Sequence, residues 1–200
     1  MTPFYRFVRA ILYVAFHIFH SVKVIGKENI PEDGGFILCC NHTSMSDPFY
    51  KVPIFKRQVH FMAKAELFKI GLFRVVLNAI GAFAVNRGKG DMTAINKAKE
   101  IVRSGNILGI YPEGTRHPSG PPHKAKSGIA YIALDTKSNI LPVCIYREGK
   151  YSWFKKTTIR IGKVLEYNEL VNEELTPRAN IKNIVDTVTK EITQLWEMKH

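Results

Sequence analysis

Two hundred residues suit one domain with room for a substantial core, and 46% apolar against 23% charged residues exclude a disordered chain. A net charge of +12 and a pI of about 9.7 call for an anionic partner: nucleic acid, an anionic membrane surface or a phosphorylated substrate. Cys39, Cys40 and Cys144 all fall in apolar runs and no CxxC occurs, which excludes a disulfide framework or zinc site and fits a reducing, cytosolic-side setting.

Residues 1–24 are apolar and aromatic with scattered bases. Arg6 and Arg9 precede an uncharged run that ends at Lys23, too short to span a bilayer, which needs ~20 apolar residues. No small-residue cleavage site follows, so a signal peptide is not expected. Phe4, Tyr5, Phe7, Ile11, Leu12 and Val14 spread around a helix rather than along one stripe, which favours an interfacial anchor over simple core packing. The expected division is this segment, then one domain over residues 25–200.

Residues 22–25 read as a short strand, and 26–29 and 31–35 as turns. Ile37 to Cys40 is uniformly apolar, as in a central strand covered on both faces. It runs out through Asn41 and His42 to Asp47-Pro48, a helix-start signal in which Asp caps the first amides and Pro tolerates the first helical position. His42 and Asp47 thus share one strand–loop–helix corner, where a carboxylate can hold one imidazole nitrogen and leave the other to take a proton. A helix over residues 48–56 is expected, then a strand over 59–64 ending in Lys64. Residues 66–80 read as an apolar helix with Gly71 as its weak point, and 82–87 as a strand ending in Arg87.

Asp91 is a good N-cap for a helix in which Ile95, Ala98, Ile101 and Val102 recur at helical spacing, stopped by Gly105. The strand over 107–111 runs into Pro112-Glu113-Gly114-Thr115-Arg116 and a proline-rich loop flanked by His117 and His123. Small residues favour a close-packed helix over 127–136. Residues 140–146 form a strand despite Pro142, which argues for an edge or strand-start position. Residues 157–165 alternate as a further strand. Thr176 caps and Pro177 opens a last helix with a core-facing stripe of Ile181, Ile184, Val185, Val188, Ile192 and Leu195. The alternation predicts a single three-layer α/β domain with a mostly parallel mixed central sheet flanked by helices.

In a parallel sheet the strands' C-terminal ends share an edge, and ligands bind there. That edge gathers His42 and Asp47, Lys64, Arg87, and then Glu113, Thr115 and Arg116. A base with an orienting acid would face three cations and a carboxylate, and three cations suit a phosphate group. His17 and His20 are one turn apart but lie in the apolar N-terminal segment, so no metal site is expected from histidine spacing.

Asn41-His42-Thr43-Ser44-Met45-Ser46-Asp47 matches NHxxxxD and Glu113-Gly114-Thr115-Arg116 matches EGTR. By these motifs the sequence resembles the glycerolipid acyltransferase family, in particular its bacterial 1-acylglycerol-3-phosphate acyltransferases. The block Gly81 to Arg87 and the Pro142-centred run Ile140 to Val143 resemble the family's second and fourth blocks, in family order. The resemblance implies acyl transfer from a thioester donor, acyl-CoA or acyl carrier protein, to the free hydroxyl of lysophosphatidic acid, giving phosphatidic acid. It implies His42 as general base, Asp47 as its orienting acid, and Lys64, Arg87, Glu113, Gly114, Thr115 and Arg116 at the acceptor's phosphate and glycerol. Asn41 and Pro142 would support the site, and no cofactor would be needed. It further implies an enzyme held at the cytoplasmic face of the membrane, peripheral or monotopic, with an anionic membrane surface and not nucleic acid as partner. A sister acyltransferase using another lysolipid or an ornithine-lipid acceptor fits nearly as well. A serine hydrolase using Ser44 or Ser46 lacks a GxSxG elbow, and a basic nucleic-acid-binding module lacks a binding signature.

Overall fold

The computed structural model describes residues 3–19, 22–51, 53–86, 91–147 and 156–198. Along them run α1 (Pro3–Phe19), β1 (Val22–Ile25), β2 (Phe36–Cys40), α2 (Asp47–Lys51), β3 (Val59–Lys64), α3 (Gly71–Ala79), β4 (Phe83–Val85), α4 (Met92–Arg103), β5 (Ile107–Ile110), α5 (Gly128–Thr136), β6 (Ile140–Arg147), β7 (Thr157–Ile161), α6 (Tyr167–Leu170) and α7 (Pro177–Glu197). The seven strands form one sheet in the order β1-β7-β6-β2-β5-β3-β4. Every neighbouring pair is parallel except β6 with β7. The C-terminal ends of β2 to β6 therefore share one edge, while β1 and β7 run the other way.

The uniformly apolar β2 sits mid-sheet with both faces covered, which is why it shows no polar alternation. Phe36, Leu38 and Cys40 join a core with Tyr5 of α1, Tyr50 of α2 and Leu77 of α3. Ile37 and Cys39 point the other way, onto Ala98 and Ile101 of α4, Ile129 and Ala130 of α5, and Ile184, Val188 and Ile192 of α7. These are the expected three layers. Burying each Ile or Val of the α7 stripe contributes roughly 1.5–3 kcal/mol, which ties the C-terminal helix to the sheet. At the entry to β2, Gly35 lets α4 approach: a Cβ there would lie 2.0 Å from the Val102 carbonyl oxygen.

Several local expectations hold. Asp91 caps α4 by accepting the Ala94 N–H, and Thr176 caps α7 by accepting that of Ala179, with Pro177 in the first turn. Others are corrected. The helix after the corner is a single turn, Asp47–Lys51, not one reaching residue 56. The apolar stretch over 66–80 breaks at Ile70, whose extended backbone separates a 3-10 turn, Ala65–Lys69, from α3. The strand over 157–165 ends at Ile161, and Leu165 returns as an isolated bridge to Ile140. Pro142 lies near the start of its strand but not at an edge, because β6 is flanked by β2 and β7. Its missing N–H falls opposite Gly162, just past the end of β7, where the Gly162 N–H still donates to the Pro142 carbonyl.

Candidate active site

The corner after β2 is built from backbone outward. Asn41 extends the pairing of β2 with β6 by its side chain: Oδ1 accepts the Ile145 N–H at 2.7 Å and Nδ2 donates to the Ile145 carbonyl at 3.0 Å. This fixes the chain as it leaves the sheet, so His42 emerges in one direction. The loop then curls around the Asp47 carboxylate, whose Oδ2 accepts the N–H groups of Thr43 at 2.7 Å and Ser44 at 2.8 Å. His42 Nδ1 lies 2.8 Å from that same oxygen. Asp47 does not cap α2, contrary to expectation. It is the first helical residue, and the Ser46 carbonyl receives the Phe49 and Tyr50 N–H groups. The carboxylate is thereby free to turn back onto the loop.

The strands beside β2 decide what else meets His42. From β5 comes Tyr111, whose ring stacks on the imidazole at 4.0 Å between centroids, with the planes 20° apart. Glu113 follows, its Oε1 accepting the His42 N–H at 2.8 Å and its Oε2 the His123 N–H at 3.3 Å. From β6 comes Arg147, which donates from Nη1 to Asp47 Oδ1 at 3.1 Å and to the Thr43 hydroxyl, and from Nε to Thr157 Oγ1 at 3.1 Å. From α2 itself comes Lys51, fully buried, its Nζ 4.0 Å from the Tyr111 ring centroid.

These contacts set the charge state. Burial acts to raise the Asp47 pKa, but the His42 hydrogen bond and the cations Lys51 and Arg147 outweigh it and hold the carboxyl at about 2. Burial lowers the His42 pKa. The Asp47 contact pulls the other way without restoring it, and the charges of Lys51 and Arg116 lower it further. An ionised Asp47 thus faces a neutral imidazole near pH 7. With Nδ1–H donated to the carboxylate, Nε2 is the acceptor nitrogen, and it has no hydrogen-bond partner among the described residues. Among the described residues no serine hydroxyl bonds to His42: Ser44 and Ser46 bond to each other at 3.0 Å.

The other expected residues are not all gathered there. Arg116 and Thr115 are exposed on the turn after β5. Lys64 ends β3, two strands from β2 and so roughly 10 Å across the sheet, and its Nζ pairs with Glu66 at 3.2 Å. Arg87 lies outside the described residues. Glu113 was expected to face substrate, yet it is 5% exposed and engages both oxygens with backbone amides, so it fastens the loops. Burial raises its pKa, with those amides opposing. The resemblance places Gly114 at the acceptor's phosphate and glycerol. Instead its N–H closes a turn on the Tyr111 carbonyl at 3.1 Å, and its positive φ of 74° and lack of a Cβ accommodate the Lys126 side chain. His117 and His123 stack on each other at 3.5 Å between centroids, and the His117 N–H donates to the His42 carbonyl at 2.7 Å, so the proline-rich loop is tied to the corner.

Lys51, Tyr111 and Arg147 were missed, although each carried a signal. Arg147 and Tyr111 close β6 and β5, the same strand-end rule that singled out Lys64 and Arg87. Lys51 is four residues after Asp47, one helical turn along the same face.

The family model described as Acyltransferase matches residues 21–146, which contain the whole corner and its β5 and β6 neighbours up to Tyr146. The chain is 35% identical to the 1-acyl-sn-glycerol-3-phosphate acyltransferase of Bacillus subtilis over 196 residues, covering 96% of each chain. To the protein of that name from Borreliella burgdorferi it is 35% identical over 133 residues, 66% of this chain and 53% of the relative. The crystal structure of the 1-acyl-sn-glycerophosphate (LPA) acyltransferase PlsC from Thermotoga maritima superposes with a TM-score of 0.68 at 25% identity, covering 94% of this chain and 79% of that one.

Proposed function

The chain belongs to the acyltransferase family, and we propose that it transfers a fatty acyl group from a thioester to the free hydroxyl of 1-acylglycerol-3-phosphate, giving phosphatidic acid. The observation that carries this is the His42–Asp47 contact at 2.8 Å on the sheet edge, with Nε2 left as acceptor. An alcohol attacks a thioester well only as its proton leaves. His42 Nε2 takes that proton while the hydroxyl oxygen bonds to the thioester carbon. The tetrahedral adduct then expels the thiolate, which receives the proton back from His42. Asp47 holds the tautomer and steadies the imidazolium, and Arg147 holds Asp47. No acyl-enzyme forms, in keeping with Ser44 and Ser46 bonding to each other rather than to His42. The thioester itself supplies the activation, so no cofactor is required, and acyl-CoA or an acyl carrier protein serves as donor.

Arg116, with Lys64 and Arg87, holds the acceptor phosphate. Arg116 is near enough to influence His42 electrostatically. Attachment is to an anionic membrane surface at the cytoplasmic face; attachment as such is supported by α1, which exposes Phe4, Phe7, Ile11, Tyr13 and Val14, although no helix among the described residues is long and apolar enough to cross a bilayer.

The test is a labelled-acyl assay comparing lysophosphatidic acid with lysophosphatidylcholine and an ornithine lipid, with each carrier type as donor. Turnover on lysophosphatidic acid at least tenfold above the others is expected, with Arg116→Ala raising the KM for that acceptor more than the donor's. Preference for an acceptor without a phosphate monoester contradicts the proposal.

A further inference from the structure

The fold places a lysine behind the histidine where water does not reach. Lys51 is 0% exposed, and its Nζ makes no aligned hydrogen bond among the described residues. It lies beside the Cys40 thiol, 4.0 Å from the Tyr111 ring centroid and 5.8 Å from that of Phe61. Tyr111 is also the ring on which His42 stacks. Burying an ammonium is costly unless opposite charge or ring faces offset it. A leucine or methionine would fill the same space at no such cost, so the charge calls for a use.

The groups around the imidazole supply one. From β2 and its end come Cys39, Cys40 and His42. Burial pushes the thiol of Cys40 up to about 11, and that of Cys39 well above its ordinary value, so both stay neutral. Tyr111 after β5 and Cys144 on β6 are likewise pushed up by burial. Glu113 is bound by backbone amides, and Arg116 lies on the exposed turn. That leaves Asp47 as the carboxylate in contact with the imidazole, already paired with Arg147 and under the charge of Lys51. A proton on His42 makes a third cation around one carboxylate.

We propose that Lys51 is a positioning residue of the reaction: its buried charge, relayed past Tyr111, keeps His42 unprotonated at rest and makes the imidazolium formed during acyl transfer a readier proton donor to the departing thiolate. This rests on His42 acting as the base.

The experiment compares wild type, Lys51→Met and Lys51→Arg by two readouts. One is the pH profile of kcat/KM, which reports ionisations of the free enzyme. The other is the His42 titration by NMR with ring-labelled histidine, assigned by the signal lost in His42→Gln. In Lys51→Met the His42 midpoint should rise by at least about one pH unit, the effect of one charge no more than about 8 Å from the ring centre in an effective dielectric near 20. The acid limb of kcat/KM should move up equally, and Lys51→Arg should bring both back toward wild type. Should Lys51→Met not fold, Lys51→Gln carries the same expectation. An unmoved His42 midpoint in the uncharged variant overturns the proposal. A moved midpoint with an unmoved kinetic limb upholds the coupling and overturns His42 as the base.

Discussion

Asp47 carries one negative charge and answers to the His42 ring, two backbone amides and Arg147. Removing a partner from such a buried group typically costs more than the pair contributes, because the remaining charge is left unmatched. Arg147→Leu is therefore expected to destabilise the fold by about 3 kcal/mol, as read from chemical denaturation. The sign of the pH effect follows from the depressed Asp47 pKa of about 2. Its contribution is fully present above the unfolded value near 3.9 and is lost as pH falls toward 2. Without Arg147 the contribution should be smaller and its loss complete at a higher pH; an unchanged denaturation midpoint and acid profile would mean that Arg147 does not hold Asp47. The histidine and its acid were legible because only four residues separate them on one loop. Arg147 is brought there by the pairing of β6 with β2, a hundred residues away in sequence. Lys51 was overlooked, despite its spacing from Asp47, because a lysine reads as surface until its helix is seen to turn inward.

At the scale of elements, the strand-and-helix order and the caps at Asp91 and Thr176 were readable from local chemistry. Helix lengths were not. The break at Ile70 and the single turn of α2 arise where the chain must cross from one strand to the next, which apolar periodicity does not encode. The two sides of helix α1 differ in burial. Tyr5, Val8 and Leu12 pack on the core, whereas Phe7 and Ile11 are 62% and 51% exposed. Residues Phe73 and Val75 of α3, which packs beside it, are exposed as well. If this face enters the membrane, Phe7→Ser with Ile11→Ser should weaken co-sedimentation with anionic phospholipid vesicles about tenfold or more, including at high salt, since each large apolar side chain contributes roughly 1.5–3 kcal/mol when buried. Thermal stability should scarcely change. Equal binding by the double variant would exclude α1 as the anchor.

Across the whole molecule, one topological fact organises the site. Five strands end on a common edge, and the order β6-β2-β5 places β2 between the two strands that furnish its partners. The sequence pattern predicted the edge but not the order, so it grouped Lys64 with the corner and overlooked Tyr111 and Arg147. Strand order depends on which crossovers pack, and no linear signal reports that. The same order explains why the corner is rigid: Asn41 is tied to β6, the His42 amide to Glu113 beyond β5, and Asp47 to Arg147. A base so held should be responsible for most of the rate. The direct measurement is single-turnover acyl transfer to lysophosphatidic acid by purified wild type, His42→Ala and Asp47→Asn. General-base catalysis contributes ~10²–10⁴-fold, so His42→Ala should lose at least a hundredfold and Asp47→Asn a large part of that, both remaining folded and able to bind acceptor. Turnover near wild type in His42→Ala would contradict the account.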